Sequence, residues 1–192
     1  MGYGKWIGGI MGFMTMGPLG ALAGFAIGSL FDKSVTAQEE MDGGYGSTAQ
    51  EDVYTGQRNS FLFSMLVMAS YIIRADGRIM HSEMEFVRQF LRVNFGEASV
   101  SEGERILLNL FEQRKRMEQN DPSAFRRTIR ESGAQIAANL TYEQRLQLLD
   151  LLVKIAQSDG NVCAAEVDAL KEVAQSMQLS MQEVDSMLNL RG

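Results

Sequence analysis

"MASYIIRADGRIMHSEMEFVRQFLR", residues 68–92, is spelled a second time in different letters as "LLVKIAQSDGNVCAAEVDALKEVAQ", residues 151–175. In register, Met68 stands against Leu151, Ile72 against Ile155, Val87 against Leu170, Phe90 against Val173, and basic Arg88 against Lys171. Apolar residues recur at helical spacing on both sides of each central Asp-Gly. Each copy therefore reads as a helix, an acidic turn and a second helix. Two such hairpins can bury their apolar sides in one core with approximate two-fold symmetry, whereas a solenoid needs more copies.

The chain around the repeat is helical too. "RNSFLFSMLVMASYIIRA" (58–75) places Phe61, Met65, Met68 and Ile72 on one stripe, with Leu62, Leu66, Ala69 and Ile73 beside it. Capping boxes mark helix starts at Ser82 with Glu85, Thr141 with Gln144 and Ser180 with Glu183, while Ser99 with Glu102 competes with Ser101 and Glu104. Asp121-Pro122 reads as an N-cap followed by proline at the first helical position. Helices are expected over 57–74, 82–95, 100–119, 122–139, 142–157, 164–177 and 181–189. No stretch shows the β-branched alternation of a strand. The expected fold is an all-α bundle of about seven helices over 57–192.

The repeated phrase copies the second half of an EF-hand, which wants acids at positions 1, 3 and 5, Gly at 6, an aliphatic at 8 and Glu at 12. With Glu83 at position 12, Asp76, Gly77 and Ile79 fit, but positions 1 and 3 fall on Ile72 and Arg74; in the second copy they fall on Ile155 and Gln157. Both copies lack the first ligand, so neither is a standard calcium loop. A purely structural reading accounts for the pattern. Gly77 and Gly160 end a helix in the left-handed conformation, Asp76 and Asp159 bond turn amides, and Ile79 and Val162 pin the loops. Glu83 favours the positive end of the following helix. The alternative uses the duplication: Asp76, Glu83, Asp159 and Glu166 converge across the pseudo-two-fold axis and hold a hard divalent cation, Ca²⁺, Mg²⁺ or Mn²⁺, with Glu85 and Asp168 behind them.

Composition narrows the function classes. The 192 residues suffice for one domain with an appendage. Residues 1–56 carry two basic residues against six acids, and residues 57–192 carry 16 against 18, so no concentrated positive field exists to meet a phosphate backbone. Nucleic acid is not an expected partner. Cys163 is the one cysteine and His81 the one histidine. There is thus no disulfide framework, no thiolate or histidine zinc site, and little material for a catalytic triad. A metal-assisted hydrolase would need an acidic pocket with room for substrate. An enzyme is not expected.

From Trp6 to Phe31 the chain is uncharged and rich in glycine, "WIGGIMGFMTMGPLGALAGFAIGSLF". As one helix it would span ~39 Å, more than the ~30 Å hydrocarbon core. Gly20, Gly24 and Gly28 form a small-residue face suited to close helix approach in lipid, hence to a homodimer. Gly17-Pro18 can instead break the run into two short helices that lie in the membrane or pack on a soluble body. A cleaved signal peptide, with "ALA" at 21–23, fits less well because the apolar run continues past it. The expected organisation is a membrane segment over 1–33, an acidic flexible linker over 34–56, and the helical domain over 57–192.

"IIRADGRIMHSEMEFV" and "IAQSDGNVCAAEVDAL" resemble the paired acidic motifs of TerB-like domains, the helical module named for tellurite resistance. "GKWIGGIMG" followed by "GALAGFAIGSLFDKS" resembles the amino-terminal membrane segment of the DjlA co-chaperone family. In that family a TerB-like domain follows the membrane segment, and a J-domain then stimulates an Hsp70 ATPase. The resemblance implies a bacterial inner-membrane protein whose domain faces the cytoplasm and binds protein partners, with a chaperone system among them if a J-domain follows. It maps the family's acidic residues onto Asp76, Glu83, Asp159 and Glu166. A J-domain needs His-Pro-Asp, and here His81 precedes Ser82, so Hsp70 stimulation is not expected of this chain. The leading expectation is a membrane-anchored, non-enzymatic interaction module. The alternative is a soluble metal sensor or buffer with its first segment folded onto the domain.

Overall fold

The computed structural model describes residues 17–26, 49–73, 81–158 and 160–191. Among them stand eight α-helices and no strand: α1 (Gly17–Ala26), α2 (Ala49–Ile73), α3 (His81–Phe95), α4 (Glu97–Asn120), α5 (Ala124–Asn139), α6 (Tyr142–Ala156), α7 (Ala164–Ser176) and α8 (Met181–Arg191). The all-α bundle is as expected. Helix α2 begins at Ala49, so the last part of the stretch read as a linker is helical.

Helix α2 is the central post. Every residue from Leu62 to Ile73 is buried, including Phe63, Val67 and Tyr71, which lie off the stripe read from the sequence. A helix apolar on all sides has to be surrounded, and α2 packs against α4, α5, α6 and α7. Ser70 fits this interior by donating its hydroxyl to the Val67 carbonyl at 2.6 Å. Around this post α3 packs mainly on α4, and α7 on α5, with α8 lying across α6 and α7. Among the described glycines the tightest contact is at Gly133 of α5. A Cβ there would stand 1.9 Å from Ser176 Oγ and 2.9 Å from its backbone carbon.

Local start signals explain most boundaries. Thr141 and Gln144 form the expected capping box, with each side chain on the other's backbone N–H at 3.1 and 2.9 Å. The Ser180 N–H reaches Glu183 at 2.8 Å, and the Glu183 N–H returns to the Ser180 hydroxyl at 3.3 Å. Three expected starts differ. Helix α4 begins at Glu97 after Gly96, whose φ of 91° suits glycine, so neither Ser99 nor Ser101 is its cap. Helix α3 begins at His81, which puts Ser82 inside the first turn, and Glu85 reaches Arg88 instead. At Asp121 the carboxylate accepts the Ser123 N–H at 3.0 Å, and α5 starts one turn later at Ala124.

Helix α1 belongs to the bundle. Leu19, Leu22 and Ala26 are buried against α4 and α5, while Gly17, Ala21 and Gly24 are exposed. The expected apolar spanning helix is not seen: no described helix is long and apolar enough to cross a membrane. Of the glycine face, Gly20 is half-buried, Gly24 opens on free space and Gly28 lies outside the described residues.

Candidate functional site

The second acidic phrase is built by local rules. Helix α6 ends with the Gln157 N–H on the Val153 carbonyl at 2.9 Å, and the Gly160 N–H then closes a turn onto the Gln157 carbonyl at 2.9 Å. Gly160 has φ 89°, the left-handed conformation expected of it. Val162 is half-buried against the core, as a pin for the loop should be. Helix α7 starts after Cys163, whose N–H donates to Glu166 Oε1 at 3.2 Å. Glu166 thus satisfies one of the amides that a helix start leaves without an internal partner.

In the first copy, Asp76, Gly77 and Ile79 lie outside the described residues, as does Asp159 in the second. Glu83 and Glu166 hold equivalent places in the first turns of α3 and α7 and are both buried, at 0% and 3% exposure. The main contacts of the two helices differ, α3 packing mainly on α4 and α7 mainly on α5, while both also touch α6. Among the described residues no three His, Cys, Asp or Glu side chains are grouped to hold a metal ion. Glu85 is exposed and paired with Arg88 at 3.1 Å, and Asp168 is exposed on α7.

The second turn opens on a cleft of about 880 Å³ lined by Phe86, Lys154, Gln157, Ser158, Gly160, Asn161, Val162, Val167 and Leu188. It therefore gathers α3, the end of α6, the turn, the start of α7 and α8. Four apolar side chains share it with two amides and a lysine. Among the described lining residues the one hydroxyl is that of Ser158, which donates to the Ile155 carbonyl at 2.8 Å. This wall offers apolar contact together with amide hydrogen-bonding groups.

Two further features escaped the sequence reading. At the end of α2, the Tyr71 hydroxyl donates to Glu172 Oε1 at 2.5 Å, and Arg126 and Arg130 donate to Glu172 Oε2, the latter at 3.0 Å. Burial pushes the Glu172 carboxyl up, but the hydrogen bonds from Tyr71 and Arg126 outweigh it and hold the group below its ordinary value. Burial and the Glu172 contact together push Tyr71 up to about 12. Arg114 lies over the Tyr71 ring at 5.0 Å and donates to the Tyr71 carbonyl at 3.0 Å, at the negative end of α2. These residues come from four helices, so no local spacing announces them. Glu102 is the other feature. It is 2% exposed on α4, its Oε2 has no hydrogen-bond partner among the described residues, and burial pushes its carboxyl up to about 7. The sequence had offered it as a helix cap.

These observations define a class: a helical bundle around a duplicated helix–turn–helix, with a mixed apolar and polar cleft at one of its turns. The family is equally plain. The chain belongs to the family described as tellurite resistance protein TerB, which matches residues 63–189. Residues 1–50 match a second family, the transmembrane domain of co-chaperone DjlA. A relative, co-chaperone protein DjlA of Legionella pneumophila subsp. pneumophila, is 26% identical over 120 residues, which is 62% of this chain and 38% of the relative. The chain thus matches well under half of that relative's length. No solved structure matches it significantly.

Proposed function

We propose that this chain acts by binding and not by catalysis. It is a membrane-associated TerB module of the DjlA co-chaperone type that presents a protein-docking cleft at the cytoplasmic face of a bacterial inner membrane. The observation that carries this reading is the order of parts. A segment matching the DjlA transmembrane domain precedes a TerB bundle on one chain, and a similar protein is a co-chaperone. The cleft supports it: Phe86, Val162, Val167 and Leu188 offer apolar contact, while Gln157 and Asn161 can meet a peptide backbone. A photo-crosslinking residue at exposed Asn161, in the full chain expressed in bacteria, should give a defined protein adduct in the carbonate-washed membrane fraction. The same probe at exposed Val93 on α3, outside the lining, should give none. A chain that carbonate releases without detergent would refute the anchored reading. Adducts at neither position would refute the docking cleft.

A second reading is favoured by one observation. Among the described residues the buried Glu166 Oε2 has no hydrogen-bond partner, although Oε1 serves as a cap. With Asp76, Glu83 and Asp159 it would supply the oxygen ligands that Ca²⁺, Mg²⁺ or Mn²⁺ prefers. Such an ion would tie the two turns together and stiffen the cleft.

A further inference from the structure

Helix α1 sits in a groove between α4 and α5 that holds it at two places by hydrogen bonds to its backbone. At the start, the Leu19 N–H donates to Gln135 Oε1 of α5 at 3.0 Å. At the last described residue, Asn109 of α4 donates to the Ala26 carbonyl at 2.8 Å. The start of a helix leaves such N–H groups without internal partners, and at Leu19 the bundle supplies one. Between the clamps Leu19 and Leu22 are buried. A ten-residue helix that includes three glycines is not stable alone in water, so α1 depends on the groove.

The docked geometry cannot be carried into a spanning helix. Gly17 has φ 72°, whereas a helix running through it needs φ near −60°. In a continuous helix the Leu19 N–H would turn to the carbonyl four residues upstream and leave Gln135. Extension in the other direction does not suffice, because Asp32 and Lys33 follow Phe31 and residues 17–31 would reach only roughly 22 Å of the ~30 Å core. A spanning helix has to include residues before Gly17 and so has to undock. A hairpin bent at Gly17-Pro18 would still surrender Leu19 and Leu22 to lipid.

We propose that the α4–α5 groove is a reversible receptor for the chain's own membrane segment, so that docking in the groove and insertion into lipid compete for α1. This rests on the membrane association proposed above. Insertion would bare the groove, and docking would hold the apolar segment out of lipid.

The two states have opposite sensitivities. Asn109→Ala with Gln135→Ala removes both clamps and leaves the lipid-facing sequence intact. Gly24→Arg points into open space when docked but sets a charge within the apolar run. The full chain is tested by flotation with phosphatidylethanolamine–phosphatidylglycerol vesicles, and α1 docking by hydrogen exchange in buffer. Each clamp should bias docking by roughly two- to tenfold, so the double variant should bind vesicles about tenfold more strongly than wild type. Gly24→Arg should bind less, with α1 amides as protected in buffer as in wild type. Equal vesicle binding by wild type and the clamp variant would overturn the competition. Unprotected α1 amides in wild type, with vesicle binding retained, would overturn the receptor and leave membrane association standing. Absence of vesicle binding from all three proteins would overturn both.

Discussion

At the scale of single residues, two glutamates make opposite demands on pH. Glu102 is buried on α4, and its carboxyl is pushed up to about 7 by that burial. Its unfolded counterpart titrates near 4.3, so between those values the folded state holds the extra proton. Stability from this group is therefore complete at acid pH and falls as pH rises from about 4 to about 7. Glu172 is held below its ordinary value once the bonds from Tyr71 and Arg126 overcome burial, and its contribution is lost as pH falls. Glu102→Gln should raise the thermal midpoint at pH 8 by the equivalent of ~1–3 kcal/mol and make no difference near pH 4. Thermal melts at the two pH values check this, and equal midpoints at pH 8 would show that Glu102 ionises without penalty. The sequence made Glu102 legible as an acid near a helix start. It did not reveal burial, because burial depends on what covers α4.

At the scale of helices, close approaches decide which glycines matter. Gly133 lets α5 lie against Ser176 at the end of α7, where an added Cβ meets a backbone carbon at 2.9 Å. Gly103 is less demanding, because a Cβ there meets the Leu91 methyl at 2.5 Å, the end of a flexible side chain. Gly24 faces open space. Gly133→Ala should therefore destabilise by about 1–3 kcal/mol or more through overpacking. Gly24→Ala should stabilise by up to about 1 kcal/mol through helix propensity. Urea unfolding of the two variants tests the contrast; similar midpoints would mean that α5 and α7 can part without cost. The helices themselves were legible from periodicity and capping boxes, as Thr141 with Gln144 and Ser180 with Glu183 show. The start of α4 was not, since Gly96 ends one helix and opens the next without a polar cap.

At the scale of the whole molecule, the question is whether the two copies of the repeat act together. The buried pair Glu83 and Glu166 is shared between copies, but α3 and α7 make their main contacts with different helices. A joint metal site needs Asp76 and Asp159 to close the distance. Calorimetric titration of the full chain with Ca²⁺, Mg²⁺ and Mn²⁺ decides between the readings. Saturable heat that an Asp76→Asn, Asp159→Asn double variant loses would establish one shared site. No heat from either folded protein would leave the phrase as a turn-and-cap device, the role that the Cys163 N–H already gives Glu166.

The sequence by itself determined the helical class, the helix–turn–helix repeat, the left-handed Gly160 and the resemblance to TerB. These follow from short-range chemistry: apolar spacing, caps and turn residues act within a few positions of one another. Tertiary structure alone decided that α2 is buried on every side, that Glu172 gathers Tyr71, Arg126 and Arg130, and that α1 lies in the α4–α5 groove. Each joins residues far apart in the chain. An uncharged, glycine-rich run can satisfy its backbone either in lipid or against a bundle, and the bonds from Asn109 and Gln135, with Leu19 and Leu22 buried, mark the second.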